Sequence, residues 1–134
     1  MATVSMPVPA IQAPPASLAG DRRRVLEDDV TLPRLYMAWH SPAYFQDGDA
    51  DIDVAASVLA DGKASRLYRR LVYDRQTAQD VSAFQSSGQL GSSFWVIVTA
   101  RPGVDLDEME SVVREEIARL ASDGPTVREV QRSV

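Results

Sequence analysis

The chain has 134 residues, of which 45% are hydrophobic and 25% are charged, and its formal net charge at pH 7 is −5. These values predict one small domain with a modest core, and the acidic balance argues against a nucleic-acid partner. The absence of cysteine excludes disulfide bonds and thiolate zinc sites. No apolar run reaches the roughly 20 residues that a membrane-spanning helix needs, and no signal peptide is visible. The sequence therefore predicts no membrane segment and leaves the localisation unknown.

Residues 1–22 differ in composition from the rest of the chain, because they contain several prolines and many alanines but no aromatic residue. Such a segment is typical of an extended, disordered linker between domains. The run Arg22–Arg24 is soon followed by the acidic run Glu27–Asp29, which favours a solvated strand edge over a phosphate site. We therefore expect a linker over residues 1–22 and a folded domain over residues 23–134.

Two strands and then two helices are predicted in the first half of the folded part. A short strand is expected around Val25–Leu26, and residues 35–40 alternate in the way that predicts a second strand. One face of that strand carries Leu35, Met37 and Trp39, and the other carries Tyr36, Ala38 and His40. The period then changes and predicts helices over residues 48–60 and 65–75. Their apolar positions are Ile52, Ala55, Ala56 and Leu59 in the first and Leu67, Tyr68, Leu71 and Val72 in the second.

A hairpin and two further helices follow. Strands over residues 81–86 and 94–99 flank a loop whose turn geometry explains its two glycines. The unbroken apolar run of residues 94–99 predicts a central strand that is covered on both faces.

A long helix is expected to begin after its N-cap Asp105, with Glu108 completing a capping-box pattern, and to end at Gly124. Its apolar stripe consists of Leu106, Met109, Val113, Ile117 and Leu120. Thr126 and Glu129 then cap another helix, which the sequence ends after about two turns, so we expect an incomplete domain. Together the elements predict an α+β fold in which helices pack on one face of an antiparallel sheet.

The only histidine, His40, limits the hydrolytic chemistry of this chain. A catalytic zinc site usually needs at least two imidazoles with a carboxylate or a water, and neither HExxH nor HxxEH occurs. The G-x-S-x-G, P-loop and G-x-G-x-x-G patterns are also absent. We therefore predict no metal site and no catalytic residue here, and we interpret His40 as a half-buried structural residue.

Two further groups have alternative explanations. The alternating aspartates of residues 47–53 lack the Gly and Glu spacing of an EF-hand, and negative charge near a helix N-terminus is stabilising in any case. Trp39 is interpreted as a core residue. Tyr44 and Phe45, which follow Pro42, form a recognition patch or pack on a partner domain, and the sequence leaves both interpretations open.

Several stretches together resemble one peptidase family. They are VTLPRLYMAWHSPAY at residues 30–44, DIDVAASVLADGKASRLYRRLV at 51–72, TAQDVSAF at 77–84 and the strand-helix run of residues 94–124. In this order and spacing they look like the second, non-zinc domain of pitrilysin/insulinase-type zinc peptidases. That family includes insulin-degrading enzyme and mitochondrial processing peptidase, and the resemblance covers residues 23–134.

The resemblance implies that the chain is a fragment of a zinc-dependent endopeptidase. In such enzymes an N-terminal zinc-binding domain, in the same or a partner chain, carries the HxxEH motif. The second domain is similar in fold, lacks zinc and helps to enclose a chamber that holds the peptide substrate. Zinc would thus belong to the parent protein, and this chain alone would hydrolyse no peptide bond.

One departure from the family pattern concerns the residues that the second domain lends to the active site. In many members these are an Arg and, seven residues later, a Tyr, but Val72 and Gln79 stand at those positions here. Valine cannot replace a guanidinium, so the resemblance implies weaker assistance to the transition state. Gln79 retains an amide that can donate to a substrate carbonyl. With Arg75 and Tyr73 it forms our set of candidate substrate-binding residues.

Two alternative functions stay open. A non-catalytic peptide-binding or assembly subunit of the same family is favoured by the absent Arg and Tyr. A free-standing small α+β domain would instead bind a ligand or partner through its sheet. An HxxEH motif upstream in the same reading frame would support the endopeptidase, and a broken motif would support the subunit.

Overall fold

The computed structural model describes residues 17–134. Its elements are β1 (Arg34–Ser41), α1 (Asp49–Ala60), a π-helix (Tyr68–Asp74), β2 (Ala78–Ser86), β3 (Ser92–Ala100), α2 (Leu106–Asp123) and α3 (Val127–Ser133). The three strands form one antiparallel sheet in the order β1-β3-β2, and the helices pack against it. The predicted α+β class is therefore confirmed. The predicted linker lies largely outside the described residues and stays a prediction.

The central strand β3 separates a buried face of the sheet from an open one. Its side chains alternate strictly, so that Phe94, Val96 and Val98 are buried whereas Trp95 and Ile97 are only half-buried. Its central position confirms the sequence-based prediction. The prediction of cover on both faces is wrong for the described residues, because helices supply a core to one face alone. The apolar run did not imply burial of both faces, because antiparallel strands can carry apolar residues on an exposed face as well.

The hydrophobic core lies between the buried face of the sheet and the helices. Leu59 from α1, Leu71 from the π-helix and Met109 from α2 are almost completely buried against Val96 and Val98 of β3. Burial of each such side chain stabilises the fold by about 1.5–3 kcal/mol. The apolar stripes of the sequence predicted most of these core positions, and the helices are therefore attached to the sheet by the residues that their periodicity indicated.

The first predicted strand is absent from the structure. Val25 and Leu26 are exposed and lie in a segment without regular structure. This segment instead follows α2, because Arg23 pairs with Asp107 and Glu110. The strand prediction was wrong because two adjacent apolar residues have no neighbouring strand to pair with among residues 17–134.

The second predicted helix is confirmed in place but differs in kind. Residues 68–74 form a π-helix, in which the N–H of Arg75 donates to the carbonyl of Arg70 at 3.0 Å. The buried pair Leu67 and Leu71 and the partly buried pair Tyr68 and Val72 are each four residues apart. Apolar residues four positions apart lie on one face of a π-helix as well as of an α-helix, so the sequence did not distinguish the two helix types. Single π-helical turns occur frequently at functional sites.

The two predicted capping boxes have different outcomes. Asp105 caps α2 by accepting the N–H of Asp107 at 2.9 Å, but Glu108 pairs with Arg75 instead of closing the box. At α3 the box is complete, since Thr126 and Glu129 exchange both expected hydrogen bonds. The second of these predictions is confirmed, and the first is confirmed only for the N-cap residue.

Glu129 also joins α3 to the preceding helical layer. Both of its carboxylate oxygens accept from the guanidinium of Arg66 at 2.8 Å. The Arg66 bonds, with further bonds from the backbone and hydroxyl of Thr126, lower the pKa of Glu129 from 4.5 to about 2. A carboxylate whose folded-state pKa is depressed stabilises the fold above its unfolded pKa, and this contribution is lost as the pH falls through its folded pKa.

We predict that the Glu129 carboxylate contributes about 1–3 kcal/mol to the free energy of unfolding at neutral pH, and that this is lost between about pH 4.5 and pH 2. In Glu129→Gln this contribution and its pH dependence should be absent. Urea denaturation across this pH range measures the effect. Glu108→Gln is the matched control, because the Arg75–Glu108 pair is exposed and should change stability by less than about 1 kcal/mol. Equal pH profiles for wild type and Glu129→Gln would contradict the assignment.

Candidate functional site

The face of the sheet that is turned away from the helices forms a continuous surface, which we call the open face. The strand register places its residues in four rows across β1, β3 and β2. In order the rows are Arg34–Thr99–Asp80, Tyr36–Ile97–Ser82, Ala38–Trp95–Phe84 and His40–Ser93–Ser86. The two middle rows are mainly apolar, and the two outer rows are polar.

The apolar centre of the open face is accessible to solvent. Tyr36 is 55% exposed and Phe84 is 43% exposed, and they flank the half-buried side chains of Trp95 and Ile97. None of these four residues belongs to the hydrophobic core. The indole N–H of Trp95 donates to Ser93 at 2.8 Å, which fixes the ring on the sheet surface. A concentration of aromatic side chains on an exposed surface is typical of a binding surface.

Gln79 lies at the polar end of the open face, at an irregularity of β2. Ala78 pairs with Ala100 but Asp80 pairs with Thr99, so Gln79 is an extra residue in the ladder and forms a β-bulge. Ala78 and Val81 stay buried, and both residues between them are exposed. Bulges of this kind redirect side chains and are enriched next to active sites.

The other two candidate substrate-binding residues precede Gln79 at the end of the π-helix. Tyr73 is exposed, and Arg75 pairs with Glu108 at 2.9 Å. Val72 is partly buried and packs against the core. The three candidates thus lie in one short stretch of chain at the start of β2, and no hydrogen bond joins their side chains.

The segment between the π-helix and β2 contains a strained residue. Gln76 has a φ of 53°, a left-handed conformation that side-chain-bearing residues adopt rarely. The N–H of Thr77 then donates to the carbonyl of Leu71 at 2.9 Å and fixes the entry into the strand. Backbone strain of this kind concentrates at functional segments.

A comparison with protein families gives a match over nearly the whole chain. The family described as the peptidase M16 inactive domain matches residues 5–134. The chain belongs to this family. The pitrilysin/insulinase-type resemblance is thereby confirmed. The family assignment also supports a non-catalytic role for the domain.

Solved structures with the same fold include a protease and the inactive domain of a proposed zinc protease. A protease from Helicobacter pylori superposes with a TM-score of 0.74 at 20% identity, over 80% of this chain and 26% of that one. The inactive peptidase domain of a proposed zinc protease from Bordetella parapertussis gives 0.70 at 25% identity, over 81% of this chain and 58% of that one. A proposed zinc protease from Bordetella pertussis gives 0.69 at 26% identity, over 76% and 56%. The chain thus spans less than two thirds of each of these proteins. A search of curated proteins finds no match.

The part of the chain that the structure describes contains no candidate metal site. Residues 17–134 contain no group of three or more His, Asp or Glu side chains placed to hold a metal ion. His40 is exposed at the end of β1, so its interpretation as half-buried is wrong. Asp49 accepts the N–H of Phe45 at 3.0 Å and the side-chain amide of Gln85 at 2.6 Å, which assigns it a structural role at the start of α1. No helix in this part is long and apolar enough to cross a membrane.

Sequence reasoning did not identify the open face as a candidate site. The alternation in β1 correctly placed Tyr36, Ala38 and His40 on one face. Because β3 was predicted to be covered on both faces, however, these residues were not expected to be exposed. The loop after β1 was identified, and there Tyr44 and Phe45 pack edge to face with ring centroids 4.2 Å apart. The two interpretations of Tyr44 and Phe45, as a recognition patch or as a contact with a partner domain, both stay predictions.

We predict that Gln76→Gly raises the free energy of unfolding by about 1 kcal/mol, because glycine adopts the left-handed conformation without a Cβ clash. Gln79→Gly is the matched control, since Gln79 lies in a strand and has no positive φ, and it should lose about 0.5–1 kcal/mol. Thermal and urea denaturation measure both changes. A destabilised Gln76→Gly variant would show that the Gln76 side chain makes a compensating contact.

Proposed function

We propose that this domain forms part of the wall of a peptide-holding chamber in a zinc-dependent endopeptidase and supplies no catalytic group itself. The single observation that carries the proposal is the open face, an accessible apolar surface with polar rows at both ends. Unfolded peptides expose apolar side chains and unpaired backbone groups together. A surface that combines aromatic rings with peripheral polar groups suits both.

The zinc ion of the proposed enzyme would belong to an N-terminal domain of the same or a partner chain. The residues of this chain do not fit a zinc site, because it contains one histidine and no cysteine, and that histidine is exposed. At least three protein ligands are usual for catalytic zinc. No step of peptide hydrolysis is therefore assigned to residues of this chain.

Gln79, Arg75 and Tyr73 are proposed to contact the peptide near the start of β2. The exposed amide of Gln79 can donate to a substrate carbonyl, and the bulge directs it away from the core. The Arg75 guanidinium has donors beyond the one that Glu108 uses. Val72 cannot take part, because it packs against the core and has no polar group. The domain would thus position the substrate more than stabilise its transition state.

A second candidate function is a non-catalytic binding or assembly subunit of the same family. The observation that favours it is Val72, an apolar and partly buried residue where many members carry an active-site Arg. The zinc motif of the associated N-terminal domain separates the candidates. An intact HxxEH motif supports the peptidase, and a broken motif supports the subunit.

The two tryptophans lie on opposite faces of the sheet and report peptide binding separately. Trp95 lies on the open face, whereas Trp39 packs against Phe94 in the core with ring centroids 5.7 Å apart. We predict that an unfolded apolar peptide changes the fluorescence of Trp39→Phe, which retains Trp95, in a saturable way. The fluorescence of Trp95→Phe, which retains Trp39, should stay nearly constant. A response confined to Trp95→Phe would contradict the proposal.

Two phenylalanines provide a matched pair of binding variants. We predict that Phe84→Ser weakens peptide binding roughly tenfold, because it removes an aromatic contact from the centre of the open face. Phe45→Ser makes the same change in the loop after β1, where the side chain is 88% exposed. If Phe45→Ser weakens binding and Phe84→Ser does not, the peptide binds at the loop and the open face is excluded. Fluorescence titration with one peptide measures both variants.

A further inference from the structure

A second concave surface lies on the helical side of the domain, away from the open face. It is a groove of about 470 Å³ between the π-helix with its preceding turn, the C-terminal half of α2, and α3. Six arginines and three carboxylates line it, within a chain whose formal net charge is −5. The groove is thus a local basic region on an acidic protein.

The arginines of the groove are of two kinds. Arg66 and Arg70 are partly buried and are neutralised by carboxylates, at 2.8 Å to Glu129 and 2.7 Å to Glu116 respectively. Arg119 is also paired, with Glu115 and Glu116. The remaining three are exposed and form no salt bridge within residues 17–134: Arg69, Arg128 and Arg132. The positive charge of the groove therefore resides on these three side chains.

The two arginines of α3 that form no salt bridge within residues 17–134 repel each other. Arg128 and Arg132 lie four residues apart in α3, and like charges at this spacing destabilise a helix. Arg69 adds a third positive charge from the facing π-helix. An anionic partner would remove this repulsion, because its carboxylates would lie between the two elements that carry the charges.

We propose that this groove binds an acidic polypeptide segment of a partner protein or domain. The interspersed carboxylates of Asp74, Glu116 and Glu129 make it a poor site for a densely charged polymer such as nucleic acid. They leave room for side-chain carboxylates that are spaced along a peptide, each of which forms an ion pair with one guanidinium. The proposal is independent of the open face, which lies across the sheet, and it assigns the helical side of the domain to docking.

The test uses the full 134-residue chain and two labelled peptides at low ionic strength. The first peptide alternates Glu with Ser, and the second replaces every Glu by Gln. Fluorescence anisotropy should show saturable binding of the Glu peptide only. Arg69→Gln combined with Arg128→Gln and Arg132→Gln should weaken this binding at least about tenfold.

The matched control removes three arginines outside the groove: Arg22→Gln, Arg24→Gln and Arg101→Gln together. It lowers the net charge equally and should leave the affinity within about twofold. Lysine at positions 69, 128 and 132 should retain most of the binding, because charge is kept. Circular dichroism checks that each variant is folded, and loss of binding in the glutamine variant with retention in the lysine variant separates recognition from stability.

Three outcomes would overturn the proposal. One is an equal loss of affinity in the control variant, which would indicate non-specific attraction. Another is undiminished binding after removal of Arg69, Arg128 and Arg132. The last is tighter, arginine-dependent binding of a single-stranded oligonucleotide than of the Glu peptide, which would make the groove a nucleic-acid site instead.

Discussion

The alternating burial of β3 is the constraint on which the rest of the molecule depends. Val96 and Val98 anchor the core, and their neighbours Trp95 and Ile97 emerge on the opposite side of the same strand. Because side chains of a strand alternate with a period of two, attachment of the helices to one face leaves the other face outside the core. The pairing of β1 and β2 with β3 extends this division over the whole sheet. The open face is thus a geometric consequence of the core, and the aromatic residues on it are what makes it a candidate peptide-binding surface.

Arginine–glutamate pairs hold the helical layer together where apolar contacts end. Glu116 is only 4% exposed and accepts from Arg70 at 2.7 Å, and Glu129 pairs with Arg66 at the start of α3. Removal of one partner from such a partly buried pair leaves an uncompensated charge, so each pair opposes the loss of its partner helix contact. Beside the paired arginines, the same layer presents Arg69, Arg128 and Arg132, which form no salt bridge within residues 17–134. The domain therefore carries two surfaces of different chemistry, with apolar and aromatic groups on the sheet side and cationic groups on the helical side.

The sequence predicted those elements whose hydrophobic period is unambiguous, and it failed where tertiary context decides. The stripe of α2, the alternation of β1 and the capping box of α3 were all recognisable locally and are confirmed. The π-helix was not distinguishable, because Leu67 and Leu71 keep the same spacing in either helical form. Burial of Glu116 was missed because a carboxylate becomes buried only where Arg70, distant in sequence, meets it. The exposure of Tyr36 and Phe84 could not be predicted from the sequence. It follows from the helices covering only one face of β3, and no pattern within the strand reveals this.

The central claim is that an unfolded apolar peptide, as distinct from the acidic segment proposed for the groove, contacts the open face and not the helical side. Site-specific photo-crosslinking tests it most directly, with the photoreactive amino acid at position 84 on the open face or at position 127 on α3, where Val127 is 75% exposed. Each protein is irradiated with the same unfolded apolar peptide, which contains no Asp or Glu, and crosslinked peptide is quantified by mass spectrometry. The account predicts a strong crosslink from position 84 and little from position 127. A crosslink from position 127 that equals or exceeds that from position 84 would contradict it.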